Sequence, residues 1–172
     1  KKPLSGTYEV DDFGNRSHSS HRAETDPCDA CRRLISSSLT GGGKKYKDGR
    51  AVCNICFPSA VTDDGIINSL MIKVVRVLKN SGITINTNAV SIKGADRTLL
   101  KQKSGGIYSP SMRGFCDTKI STQYTNGKKD KETASHIIYV LNGVPPLYIE
   151  LTIAHELMHV WFYQNTAKKH DS

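Results

Sequence analysis

The run Leu147-Tyr148-Ile149-Glu150-Leu151-Thr152-Ile153-Ala154-His155-Glu156-Leu157-Met158-His159-Val160-Trp161-Phe162-Tyr163 follows Pro145 and Pro146 and is apolar on nearly every side. A proline start ahead of such a run predicts a central, buried helix. His155 and His159 are four apart, so on a helix both imidazoles leave the same face, and Glu156 lies about 100° round beside them. Two neutral imidazoles so placed hold a zinc ion with coordination positions left open. The ion lowers the pKa of a water to about 7, and a neighbouring carboxylate takes its proton as the water attacks a peptide carbonyl. The bland alternative is three polar residues on an ordinary helix. It fares badly, because two imidazoles and a carboxylate are costly to bury in an apolar helix without partners.

His-Glu-x-x-His is the zincin motif. Its third ligand decides the class. The variety with a third histidine needs Gly at 162 and His at 165, where Phe162 and Asn165 stand. The glutamate-ligand (gluzincin) type takes its third ligand from a second helix farther along. Only 13 residues follow His159, and among them Asp171 is the one acidic residue and His170 is no better placed. The expectation is that the metal site is completed by a chain that continues past Ser172.

Of five cysteines, four form the pairs Cys28-x-x-Cys31 and Cys53-x-x-Cys56, with 21 residues between them that include Gly41, Gly42 and Gly43. Two such knuckles folded back on one another make a tetrahedron of four sulfurs around structural zinc. Two disulfides of a secreted protein are the alternative, disfavoured by the odd cysteine and by a two-residue gap that suits a metal better than an unstrained bridge. Upstream, residues 5–21 form a short hairpin-like stretch that ends in His18 and His21. Followed by a four-cysteine site, these histidines resemble the second half of the first zinc site of a LIM domain, a tandem double-zinc module. The resemblance implies a Cys-x-x-Cys pair ahead of Lys1; without one, His18 and His21 are surface residues. A module of this kind has little hydrophobic core, and the metal supplies most of its folding free energy.

From Thr62 to Asn80, Ile66, Ile67, Leu70, Met71, Val74, Val75 and Leu78 recur at three- and four-residue steps, with Gly82 as a stop. That is an amphipathic helix. Ile83-Thr84-Ile85 and Val90-Ser91-Ile92 alternate like half-buried strands, and Asn126-Gly127 lies in a turn between strands at Lys119–Tyr124 and His136–Leu141. A small antiparallel or mixed sheet follows. Lys128, Lys129 and Lys131 occupy that turn and read as a solvated loop rather than a binding patch.

A LIM-like module running into Cys56-Phe57-Pro58-Ser59-Ala60 and a helix, then Met112-Arg113-Gly114-Phe115-Cys116, Ile138-Tyr139-Val140-Leu141-Asn142-Gly143-Val144-Pro145 and Ala154–Trp161, resembles the LIM-containing, ubiquitin-activated peptidases that limit organ growth in plants and their shorter bacterial relatives. The resemblance runs from about Gly6 to Trp161. It implies that His155 and His159 are zinc ligands, that Glu156 is the catalytic base, and that the third ligand sits in a downstream Glu-Gly-containing helix. The plant members carry ubiquitin-interacting segments ahead of the LIM module. None is seen in these residues, so ubiquitin regulation does not carry over. Cys116 matches the family's cysteine, but a single cysteine amid Phe115 and Ile120 is most often a small buried hydrophobe. Tyr163, one turn past His159, can steady an oxyanion or simply pack the helix.

The chain is expected to be α+β: a LIM-like module over residues 1–57, then the first part of a zincin-type peptidase domain over 58–172, cut short at its C-terminal end. The expected function is hydrolysis of protein substrates, with one catalytic and one or two structural zinc ions and a protein partner for the LIM-like module. The competing hypothesis is a non-catalytic zinc-dependent scaffold that works by binding. The net charge of +8 divides into +3 over residues 1–60 and +5 over the rest, with no basic stripe, so nucleic acid is not favoured as a partner. No apolar run approaches a bilayer's thickness. Thiolates at metal spacing are expected of a cytoplasmic protein.

Overall fold

The structure, a computed structural model, describes residues 6–18 and 26–166. It is a mixture of helices and small sheets that divides into two compact units, one running to Ala60 and taking in Gly143–Pro145, the other made of the remaining residues from Val61 onward.

The first unit begins with a hairpin of β1 (Tyr8–Val10) and β2 (Arg16–His18), antiparallel with Tyr8 opposite His18. Asp11 builds its turn: one carboxylate oxygen accepts the N–H groups of Phe13 and Asn15, both at 2.9 Å. The other oxygen accepts from Leu34 N at 3.3 Å, and the Arg33 guanidinium stacks on Phe13 at 3.5 Å, which ties the hairpin to the cysteine-bearing segment. There, α1 (Ser37–Thr40) is capped by the Ser36 hydroxyl and stopped by left-handed Gly41. Strands β3 (Gly43–Lys45) and β4 (Ala51–Cys53) pair antiparallel, Gly43 opposite Cys53. A side chain at Gly43 would stand 2.8 Å from the Val52 carbonyl oxygen, so this crossing needs glycine. Besides the four cysteines, the buried apolar side chains described in this unit are small, Ala30, Ala51, Val52 and Val144.

The second unit is a three-stranded mixed sheet in the order β5-β7-β6, made of β5 (Val90–Ala95), β6 (Gly114–Thr125) and β7 (Lys128–Leu141). Strand β5 runs parallel to β7, with Ile92 beside Ile138, while β6 runs antiparallel to it. Asn126 and Gly127 join β6 to β7 with φ of 53° and 77°. Both central residues of the two-residue turn are left-handed, the demand that Asn-Gly meets. Three helices complete the unit: α2 (Asp64–Asn80), α3 (Arg97–Ser104) and α4 (Pro146–Thr166). Gly94, Val140 and Gly114 share one register, and side chains placed on the two glycines would meet Ile67 of α2 and Thr152 of α4. Helices α2 and α4 therefore cover the same face, above His136, Ile138 and Val140. Lys103 over the Tyr139 ring puts α3 on the other face.

Helix α2 runs from an Asp63 cap that accepts Ile66 N to left-handed Gly82, and buries Ile67, Met71 and Val74. Three expectations are corrected. Lys128, Lys129 and Lys131 lie not in a loop but at the start of β7, paired with Thr125, Tyr124 and Gln123. Residues Ile83–Ile85 form no strand; at Asn86 just beyond them, the Gln164 side chain accepts from Asn86 N at 3.0 Å and donates to Asn86 O at 2.8 Å, so a side-chain amide stands where a sheet neighbour would. Helix α4 is not central and buried all round. Ile149, Ile153, Glu156, Leu157 and Val160 form its buried stripe, while Leu147 and Leu151 are each 60% exposed and Phe162 is 62% exposed. Among the described residues no helix is long and apolar enough to cross a membrane.

Candidate functional site

In the first unit, short hairpin geometry brings the two cysteine pairs together. Cys28 N bonds Arg33 O at 2.7 Å and Arg32 N bonds Cys28 O at 2.9 Å, a tight knuckle that holds Arg32 at φ 67°. Cys56 N bonds Cys53 O at 3.0 Å in the second knuckle. Asp29 clasps the two: its backbone N–H donates to Ala51 O and its carboxylate accepts Ala51 N, each at 2.8 Å. The ligand atoms of Cys28, Cys31, Cys53 and Cys56 all lie within 4.8 Å of one another, and all four residues are buried. Cys31 Sγ and Cys53 Sγ are 3.8 Å apart. Zinc–sulfur bonds of about 2.3 Å at the tetrahedral angle separate two sulfurs by about 3.8 Å. The four thiols therefore fit one zinc ion. Burial raises the Cys28 thiol, but N–H groups of Cys53, Cys31 and Ala30 outweigh it and leave the thiol below its usual value. Burial pushes Cys53 and Cys56 up, with neighbouring sulfurs adding to the rise. A cation is what such a set of crowded sulfurs needs.

In the second unit, one helical turn places the Nε2 atoms of His155 and His159 3.3 Å apart on the exposed side of α4, their rings edge to face. Zinc–nitrogen bonds of about 2.0–2.1 Å at the tetrahedral angle give nearly the same separation. Glu156 is only 6% exposed. Burial pushes its carboxyl up from the ordinary value, while His155 and the Cys116 backbone N–H that it accepts pull it back down. Beside it opens a cavity of about 520 Å³ between the segment Ser109–Gly114 and the first half of α4, walled by Met112, Tyr148, Leu151, Thr152, His155 and Glu156. That volume falls within the range of ligand pockets.

No protein-family model matches the chain, and no solved structure matches it. It is similar to two curated plant proteins. It is 25% identical to Protein DA1 of Arabidopsis thaliana over 83% of this chain and 31% of that protein. To Protein DA1-related 2 of the same organism it is 24% identical, over 92% of this chain and 34% of the relative. The chain thus spans about a third of the length of these relatives. The chain is thus distantly similar to these DA1 proteins, and its cysteine cluster is a site that can hold zinc.

His18 ends β2, half-buried and opposite Tyr8. His21, His170 and Asp171 lie outside the described residues. Among the described residues the four cysteines are the one group of three or more potential ligands. Cys116 is half-buried, its thiol pushed up first by burial and then by Glu156 and Asp117, which leaves it a poor nucleophile. The Tyr163 hydroxyl donates to Glu132 Oε1 at 3.4 Å and its ring meets His136 edge-on. Sequence reasoning missed two residues. His136 is buried beneath α4 with Nδ1 2.9 Å from Thr118 Oγ1, hidden in a strand pattern that marks it as one polar position among many. Gly114 stands against Glu156, and its signal was a glycine at the start of a strand, where close approach is the usual reason for one.

Proposed function

We propose that the chain belongs to a zinc-dependent endopeptidase of protein substrates, with residues 58–172 carrying the peptidase part and residues 1–57 a LIM-like module that engages a protein partner. The observation that carries it is the 3.3 Å approach of His155 Nε2 to His159 Nε2, with the buried Glu156 carboxyl beside them on a cavity wall. The similarity to Protein DA1, and the resemblance of the Arg113–Cys116 and Ala154–Trp161 segments to LIM-containing peptidases, support the same function.

In this proposal His155 and His159 hold the catalytic ion, and a third protein ligand outside the described residues completes the set. When bound, zinc acts as a Lewis acid on the scissile carbonyl and its attacking water. Glu156 takes the water's proton and passes it to the departing amine, a task suited to a carboxyl whose affinity for protons burial has raised. The cavity receives a residue of the peptide, and Leu151, Met112 and Tyr148 favour an apolar one. The four-cysteine site is closed and structural. A cytoplasmic location goes with the thiolate ligands.

The experiment is zinc analysis and casein cleavage on the natural full-length protein with His155→Ala and Glu156→Ala. Loss of one zinc in the first variant, full zinc in the second and no cleavage in either is expected. Unchanged zinc with His155→Ala and no cleavage by the unmodified protein would leave a scaffold that works by binding.

A further inference from the structure

Gly114 opens β6 at the register of Val140, on the face covered by α4. A Cβ built on it would lie 2.5 Å from Thr152 Cγ2, 2.7 Å from Glu156 Oε1 and 3.0 Å from Glu156 Cγ. No side chain fits in that gap. The two neighbours yield differently. Thr152 is β-branched, sits in mid-helix and has its hydroxyl bound to Tyr148 O at 2.9 Å, so its methyl group has little freedom to swing away. The Glu156 carboxyl is the end of a longer side chain and is held by the N–H of Cys116, two residues along the same strand. Any atom added at Gly114 therefore expels the carboxyl first, and takes it off that N–H.

We infer that Gly114 is a positioning residue for Glu156: the missing side chain on β6 forms the seat in which the carboxyl lies, with the Cys116 N–H as its backrest. The inference rests on Glu156 being the base of the proposed peptidase, and it adds that the strand sets where that base points. The helix alone fixes only the Glu156 backbone, and the strand fixes the carboxyl. A misplacement of about 1 Å at a reacting group can cost on the order of a hundredfold in rate.

The first test needs no activity. Thermal midpoints are compared for Gly114→Ala in the Thr152→Ser background, where the hydroxyl stays and the obstructing methyl is gone, and again with Glu156→Ala added. A fall of roughly 5–10 °C from Gly114→Ala is expected while Glu156 is present, and most of it should vanish once Glu156 is truncated. The second test is casein cleavage by the natural full-length protein: relative to Thr152→Ser alone, adding Gly114→Ala lowers kcat about a hundredfold with KM and zinc content little changed. An equal fall in midpoint with and without Glu156, or a kcat within threefold of Thr152→Ser, overturns the inference. If the unmodified protein cleaves nothing, the peptidase proposal fails, and the midpoints still decide whether Gly114 seats the carboxyl.

Discussion

Cys31 Sγ and Cys53 Sγ stand 3.8 Å apart across 22 positions of chain, held there by two knuckles and by the Asp29 clasp on Ala51. Besides the four cysteines, the described residues of the first unit bury only Ala30, Ala51, Val52 and Val144 as apolar side chains, too little apolar area to order some fifty residues. A zinc ion held by the four cysteines would therefore supply most of the fold. Structural zinc contributes on the order of 10–16 kcal/mol in small peptides. A strong chelator, or Cys53→Ser, should remove one zinc and collapse the dispersed amide signals of Tyr8–His18 and Asp26–Cys56 in a two-dimensional NMR spectrum. Retention of those signals without metal would show that the hairpins hold themselves.

Glu156→Gln keeps the shape of the side chain and removes a charge from a site that is 6% exposed. The proposed base is lost, so casein cleavage should fall by about a thousandfold or more while zinc content stays the same. The same change should raise the thermal midpoint by a few degrees, because a buried carboxylate is held for function at the expense of stability. A drop in both activity and midpoint would mean that Glu156 serves the fold.

Much of the second unit was legible because its signals are local. The three- and four-residue apolar spacing and Gly82 mark α2, and Asn126-Gly127 alone sets the β6–β7 turn. What stayed hidden depends on partners distant in sequence. Alternation at Ile83–Ile85 describes side chains, whereas the backbone at Asn86 is claimed by Gln164 of α4. Apolar residues all round α4 could not tell which stripe meets the sheet, and Leu147, Leu151 and Phe162 face outward. Helix α3 offers only Leu99 and Leu100 as apolar residues among Arg97–Ser104, too few for a period, so its Asp96 cap went unread. The cysteine spacing and the His155–His159 step were visible as local patterns, and the structure brings the ligand atoms of each set close together. The meeting of Gly114 with Glu156 joins positions 42 apart and appears only once strand and helix are packed.

Gly127 adopts φ of 77°, where a β-branched residue is strained. Gly127→Val should cost about 1–3 kcal/mol. Because β5 pairs with β7 only at His136–Leu141, the far end of the β6–β7 ribbon has no third strand among the described residues. The loss should accordingly be local. Hydrogen exchange is expected to quicken at Ser121–Thr125 and Lys128–Thr133 and to stay unchanged at Ile138–Leu141. Quickening throughout β7 would show that the turn stabilises the whole sheet.

His136 is buried under α4, its Nδ1 2.9 Å from Thr118 Oγ1, its ring against Tyr163, whose hydroxyl in turn rests on the Glu132 carboxylate. Burial holds its pKa below the ordinary 6.5. Unfolded, the imidazole takes up a proton near pH 6.5; folded, it resists until a lower pH. Between those two values the unfolded chain binds more protons, so stability falls as pH drops through 6.5 and levels off once the folded imidazole is protonated too. The thermal midpoint should therefore decline between pH 7 and pH 5. His136→Asn retains a partner for Thr118 without a titrating ring. It should start from a lower midpoint, since the cavity left by the smaller side chain costs about 1–3 kcal/mol, and then decline less steeply over the same interval. If the slope is the same in both proteins, acid sensitivity arises elsewhere and the Thr118–His136–Tyr163 contact is one of packing alone.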